Sequence, residues 1–349
     1  MTVDSLITET ADRLFGETCT HEAVQRAEET GNAAEIWDAF ADTGFPWISV
    51  PEEAGGSGGT LLDALEVLRV VGWHAAPVPA AETGVLGGWL LASAGLGLPD
   101  GIVTVAPGTR NDTLSVADDG TVTGTVAIVP WGRHAERLAV IQDGVVASIP
   151  VAAASVDPHP SLAGEPRDTL HFDGVAVDTA PAPAGVDADA LRFRGALSRV
   201  ALMAGAIEKM SRLTVSYTNE REQFGRPVSR FQAVQTHLVW AAQDAALTRM
   251  AAEVAGREAA RGDGRFEIAS AKLVANQAAT RATKACHQAH GAMGMTQEYP
   301  LHHLSRRLWS WRTEYGGERA WTRWVGARAI SAGADGLYPL VTDGSNASG

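Results

Sequence analysis

The sequence predicts a mostly helical protein with a small β unit in its middle. It reads as an N-terminal helical domain (residues 1–100), a middle β domain (101–184) and a C-terminal helical bundle (185–349). Three observations carry this. Short β-branched runs of strand length are confined to residues of about 101–180. Beyond residue 191, apolar residues recur at steps of three and four, the period of one helix face. Strands and helices do not alternate, which argues against a doubly wound α/β sheet.

In the first region, Thr60-Leu61-Leu62-Asp63 is a capping motif that opens a helix over Leu61–Val71. A turn-rich loop, Trp47 to Gly59, precedes it. The middle region offers strands at Ile102–Val105, Thr121–Val129, Leu138–Ile141, Val145–Ile149 and Thr169–Phe172. Asp119-Gly120 and Asp143-Gly144 supply the positive φ that tight hairpins need, so a small antiparallel barrel or sandwich is expected. The Pro/Ala/Asp-rich stretch Asp178–Ala190 reads as a linker. In the last region, Phe231, Val234, Leu238, Ala242 and Ala245 form one helical stripe. Asp263-Gly264 interrupts, and Ile268, Ala271, Ala275, Ala278 and Ala279 resume the period. Small residues along such stripes let helices approach closely, which predicts a bundle.

The 349 residues are 45% hydrophobic and 20% charged, enough apolar material for a core and the wrong balance for a disordered chain. A net charge of −13 repels phosphate backbones and argues against general nucleic-acid binding. Lys209, Lys272 and Lys284 are the only lysines, so positive charge is carried mostly by Arg, which suits bidentate contacts to phosphate or carboxylate. Cys19 and Cys286 form no C-x-x-C pair and read as free thiols of a reducing compartment. Met1–Glu9 lacks a basic leader region, and the longest apolar stretch, Val85–Leu98, is short and broken by glycines. A cytoplasmic protein without membrane association is expected.

Four segments offer chemistry. Gly55-Gly-Ser-Gly-Gly59 matches G-x-S-x-G, but no strand leads directly into it, and a flexible turn is the better reading. His287 and His290, with Cys286, His302 and His303 nearby, lack the spacing of a metal site, so no metal is expected. Asn219–Gly225 joins two helices, and Ser229-x-x-Gln232 reads as a capping box for the second. Gln288–Met295 ends another helix, with Gly291 and Gly294 able to bring backbone N–H groups near a ligand or simply to cap the helix.

Together these segments resemble the acyl-CoA dehydrogenases, over nearly the whole chain. "VPEEAGGSGG", "REQFGRPVSRFQAVQ" and "QAHGAMGMTQEYP" are similar to three of that family's motifs, in order and correctly spaced. The resemblance implies a four-helix C-terminal bundle and FAD as cofactor. It places Arg221, Phe224, Gln232, Gln288, Gly291, Ala292 and Gly294 at positions that hold the adenosine-diphosphate half of FAD, typically that of a neighbouring subunit; Ala292 replaces a glycine. It implies α,β-dehydrogenation of a CoA thioester, in which a carboxylate takes the α-proton and flavin takes the β-hydrogen as hydride. An electron-transfer flavoprotein or similar acceptor is the implied oxidant.

The departures from the family are equally informative. The usual C-terminal base, a Glu, falls at Tyr315, whose phenol, with an ordinary pKa of about 10, is a poor base. Glu314 and Glu318 flank it, and either solvation or pairing with Arg is the simpler reading of both. The alternative base position near Gly195 has no Glu between Gly185 and Ile207. The flavin-facing strand of the family corresponds to Ile128-Val-Pro-Trp-Gly132, where Pro130 lacks a backbone donor. Val103–Gly108 keeps only the Pro-Gly of the second flavin-facing loop. This pattern resembles the short subunit of actinobacterial heterotetrameric acyl-CoA dehydrogenases acting on steroid side chains, in which a partner chain supplies the Glu. Two alternatives remain open at this stage: a self-sufficient homo-oligomer using Glu314 or Glu318, and a non-catalytic CoA-binding or structural protein on the same fold.

Overall fold

The first helix-start signal is realised in side-chain detail. Thr60 Oγ1 accepts from Asp63 N (3.2 Å), and the Asp63 carboxylate accepts from Thr60 N (2.9 Å). This reciprocal box starts a helix over Leu61–Trp73. The structure, a computed structural model, describes residues 5–344 except 110 and 118; the expected outer limits of the first and last domains, with the first four residues of the segment tested for a leader, lie outside these.

Two compact units emerge, residues 1–67 with 77–195, and 68–76 with 196–349. The first holds helices α1 (Ser5–Thr18), α2 (His21–Thr30) and α3 (Ala34–Ala41), and the beginning of α4 (Leu61–Trp73). A fully buried π-helical stretch, Ala81–Gly88, continues as α5 (Trp89–Ser93). The glycines before α4 are demanded by packing rather than by flexibility: a Cβ on Gly56 would lie 2.1 Å from Val50 O. Ser57 Oγ donates to Gly44 O (2.8 Å), so the serine of the G-x-S-x-G match staples a tight loop.

The β unit follows, as β1 (Val103–Val105), β2 (Ser115–Val116), β3 (Thr121–Pro130), β4 (Arg137–Gln142), β5 (Val145–Pro150), β6 (Ser155–Asp157), β7 (Arg167–Ala176) and β8 (Asp178–Pro181). Two four-stranded sheets, ordered β1-β4-β5-β8 and β2-β3-β7-β6, enclose a core that includes Val126, Val129, Leu138, Ile149, Leu170 and Phe172. Asp143 (φ 49°) and Gly144 (φ 79°) make the expected two-residue turn between β4 and β5. Two expectations need correction. β1 pairs with β4 in parallel, not antiparallel. The Asp178–Ala190 stretch is no plain linker: its first residues pair with β5 as an edge strand, where Pro181 costs no central ladder bond.

The second unit is the bundle. It comprises α6 (Ala188–Glu220), whose first turns belong to the other unit, α7 (Gln232–Arg261), α8 (Arg265–His290), α9 (Leu301–Trp311) and α10 (Glu318–Asp343), the last kinked at Gly333 (φ 67°). The Ile268–Ala279 stripe is buried throughout. α4 and α6 meet at reciprocal glycines: a Cβ on Gly72 would lie 2.0 Å from Leu202 O, and one on Gly205 1.8 Å from Arg69 O. The capping box expected at Ser229 is absent. Ser229 lies in a 3₁₀ turn, Val228–Arg230, and Phe231 is the N-cap of α7 with no side-chain cap bond. No helix among the described residues is long and apolar enough to cross a membrane.

Candidate functional site

The bundle gathers the expected cofactor residues at one of its ends. α7 and α8 run antiparallel, with the Arg281 guanidinium on the buried Asp244 carboxylate near their middles. The start of α7 therefore lies beside the end of α8. The end of α6 joins them, because Tyr217 stacks on His290 with ring centroids 4.5 Å apart. Tyr299 closes the group at 4.9 Å from His290. His290 Nδ1 donates to Cys286 O (2.8 Å), and burial holds the His287 and His290 imidazoles below their ordinary range. His290 thus belongs to an aromatic joint with Tyr217 and Tyr299. Tyr299 belongs to the QAHGAMGMTQEYP motif, whereas Tyr217 carries no motif and was missed, although it precedes Arg221 by one helical turn and was visible on that ground.

A two-stranded hairpin projects from this end, β9 (Glu222–Gln223) against β10 (Arg226–Pro227). Its tip, Phe224 (φ 52°) and Gly225 (φ 76°), has the left-handed pair that a tight two-residue turn requires. Phe224 is 91% exposed, a large apolar surface that chain folding does not bury. Arg226 lies over the Phe231 ring at 4.2 Å, which stiffens the hairpin base. Arg221 is exposed and makes no ion pair among the described residues. Gln232 is exposed as the first residue of α7, and Gln288 is exposed in the last turn of α8. Gly291 terminates α8 at φ 63°, ψ −139°, with open space where a Cβ would be. That conformation is close to glycine-only. Ala292 is exposed, and Gly294 is buried, where a Cβ would meet His290 Cβ at 2.8 Å. Gly294 thus has a packing reason in addition to any ligand role.

The expected base position lies in the turn between α9 and α10. Tyr315 adopts φ 53° and is 7% exposed, with the Arg199 guanidinium 5.3 Å from its ring centre. Glu314 accepts from Nε of the buried Arg199 at 2.5 Å. Glu318 opens α10 and accepts from Gln277 Nε2 (3.2 Å). The turn is also held from α8, whose fully buried Lys272 donates to Asn276 Oδ1 (2.8 Å) and Trp311 O (3.0 Å). Desolvation pulls the Lys272 amine down to about 7, against the opposing pull of the Glu314 carboxylate. Lys272 was also missed, though it follows Ile268 by four residues on the buried stripe. Near the alternative base position, Arg194 donates to Val85 O (2.5 Å) and no carboxylate occupies its place.

In the β unit, β3 bulges between Val126 and Val129. Ile128 takes φ 59° there and is 51% exposed. Pro130 follows without a donor, its carbonyl accepting from Thr104 Oγ1. The strand thus offers neither hydroxyl nor N–H at the position expected to face a flavin ring. Charge is divided between the units as well. The first holds 28 Asp and Glu against eight Arg, a net −20; the second holds 13 against 20 Lys and Arg, a net +7. The expected cofactor residues all sit in the positive unit.

Known proteins agree with this anatomy. Residues 4–95 match the acyl-CoA dehydrogenase N-terminal domain and residues 193–330 its C-terminal domain. The acyl-CoA dehydrogenase FadE28 of Mycobacterium tuberculosis is 29% identical over 322 residues, covering 84% of this chain and 91% of that protein. IpdE2 of the same organism, also an acyl-CoA dehydrogenase, is 28% identical over 287 residues, covering 80% and 82%. Among solved structures, the ChsE4-ChsE5 complex from Mycobacterium tuberculosis contains a chain that superposes with a TM-score of 0.85 at 24% identity, over 95% of this chain and 98% of that one. The Tcur3481-Tcur3483 steroid ACAD gives 0.84 at 25% identity, over 95% and 98%. With both of its flanking domains matched and its β unit in place between them, the chain belongs to the acyl-CoA dehydrogenase family, FAD-dependent oxidoreductases acting on the CH–CH bond of acyl-CoA.

Proposed function

We propose that this chain is one subunit of a two-chain acyl-CoA dehydrogenase, gripping the adenosine-diphosphate half of an FAD whose ring and catalytic Glu belong to the partner. The observation that carries this is the exposed hairpin. Arg221 makes no ion pair among the described residues and Phe224 is 91% exposed, both at the bundle end that holds Gln232, Gln288, Gly291 and Ala292. The domain limits 1–100, 101–184 and 185–349 belong to the same reading.

FAD, when bound, supplies the hydride acceptor for the β-hydrogen of the CoA thioester. This chain's part is to bind and orient it. Arg221 would neutralise a pyrophosphate oxygen, Phe224 would cover the adenosine, and the Gly291–Ala292 backbone would approach the phosphates without a side chain in the way. The β unit is a poor fit for the ring half, since Pro130 has no N–H and no hydroxyl stands at its position. Glu314 is committed to Arg199 and Glu318 to Gln277, which argues against either as the base. The similarity to the steroid ACAD supports a bulky polycyclic acyl-CoA as substrate, and an electron-transfer flavoprotein as acceptor completes the reading.

The test is flavin content. Purified alone, the chain should be nearly colourless; purified with an acyl-CoA dehydrogenase partner chain, it should be yellow. One tightly held FAD per protomer in a homo-oligomer would overturn the proposal.

A further inference from the structure

The first unit holds a cleft to which the reading above assigns no ligand, although Trp131, one of its walls, belongs to the stretch compared with the family's flavin-facing strand. It has a volume of about 320 Å³ and is lined by residues of that unit alone, among them Asn32, Trp37, Ile102, Trp131, His134 and Glu136. That size sits at the lower end of the roughly 300–1,000 Å³ range of small-molecule sites. Two indoles and Ile102 give it apolar walls. One wall is held under strain. Trp131, 4% exposed, sits at φ 54°, ψ 24°, pinned by Trp131 N donating to Pro166 O (3.0 Å) and by its own carbonyl accepting from His134 N (3.0 Å). A bulky residue keeps such a conformation only where its surroundings dictate it, and ligand clamps are one such setting.

The polar groups limit what fits. His134 Nε2 lies 2.7 Å from Gly31 O, and a carbonyl only accepts, so Nε2 donates there and an uncharged ring would present Nδ1 as an acceptor. Glu136 Oε2 accepts from Gly101 N (3.0 Å), which leaves the carboxylate with further acceptor capacity. Asn32 Oδ1 accepts from Ala34 N (3.0 Å), which leaves its Nδ2 as a donor. Acceptors beside a donor match a hydroxyl group, which does both. Flat indole walls suit a rigid ring system, which loses little conformational freedom on binding, better than a flexible chain.

We infer that this cleft is a binding site for a hydroxylated fused-ring hydrophobe, built wholly from residues of the first unit. It goes beyond the proposed function, because the site uses none of the residues assigned to FAD. The experiment is isothermal titration of the full-length chain with dehydroepiandrosterone as the probe and androstenedione, which lacks a hydroxyl, as the comparison. Saturable one-to-one binding is expected, weaker for androstenedione by about fivefold through the lost hydrogen bonds. Trp37→Ala should weaken it by about tenfold or more through lost apolar contact. Ala34→Trp, on the exposed first residue of α3 at the cleft, should abolish binding with the circular dichroism unchanged, and it remains informative if Trp37→Ala fails to fold. Arg221→Ala should leave the titration unchanged while it alters flavin retention, so the two readings fail separately. No saturable heat up to the probe's solubility, or binding that survives Ala34→Trp, overturns the inference.

Discussion

Arg221 and Lys272 represent two kinds of charge, one displayed and one hidden. A charge-assisted contact from Arg221 to pyrophosphate is worth about 1.5–3 kcal/mol, so Arg221→Ala should lower FAD retention by the assembled complex about tenfold or more. Unchanged retention would mark Arg221 as an ordinary surface charge. Lys272 makes a prediction about pH. Its folded pKa of about 7 lies below the ordinary lysine value of 10.5, so between those limits the unfolded chain holds a proton that the folded one releases. Stability should therefore rise with pH from 7 toward 10, and be level in this respect below 7. Urea midpoints at pH 7, 8 and 9 should climb for the wild type and climb less for Lys272→Met; parallel slopes would show that the amine stays charged. The motif residues were legible because they sit in short, ordered strings. Lys272 was not, because a lysine on a buried stripe reads as a charged residue until its partners, Asn276 and the carbonyl of Trp311, are placed by folding.

At the scale of elements, local signals were legible and pairing was not. The Thr60–Asp63 box acts within one turn and was read correctly. The Ser229 box failed because Phe231 N donates to Val228 O (3.1 Å), closing a 3₁₀ turn before α7 begins. The long strands β3 and β7 announced themselves by β-branched runs. The two- and three-residue strands β2 and β6 are too short to show a pattern of their own and exist by pairing with the next strand along the chain, whereas β8 finds β5 and β1 finds β4 in parallel across intervening strands. The reciprocal approach of α4 and α6 carries the prediction at this scale. Gly205→Ala puts a methyl 1.8 Å from Arg69 O, and the helices must separate to admit it. Overpacking of this kind costs about 1–3 kcal/mol, readable as a lower urea midpoint. A neutral Gly205→Ala, which exchange for the better helix former otherwise favours, would show that α4 moves aside freely.

At the scale of the whole molecule, the family was legible and the division of labour only suggested. Three motifs located the fold, while the fates of Glu314 and Ile128 depend on Arg199 and on a bulge that no spacing announces. The chain alone is expected to show no dehydrogenase activity on acyl-CoA esters. In the two-chain complex, Glu314→Gln and Glu318→Gln should leave anaerobic flavin bleaching by substrate nearly intact, and loss of the partner's Glu should abolish it. Bleaching lost by orders of magnitude in either variant, with FAD still bound, would return the base to this chain. The turn around Tyr315 also bears on history. A carboxylate placed there by Tyr315→Glu would inherit a left-handed backbone, a guanidinium close by and Glu314 as a like-charged neighbour. The backbone disfavours a side chain there and the guanidinium lowers a carboxylate's basicity, so on the proposed reading regaining catalysis takes several coordinated substitutions, none rewarded singly. On the proposed two-chain reading, such a subunit is held to its partner by ancestry as firmly as by any contact: loss of the base works as a ratchet, and the pair thereafter evolves together.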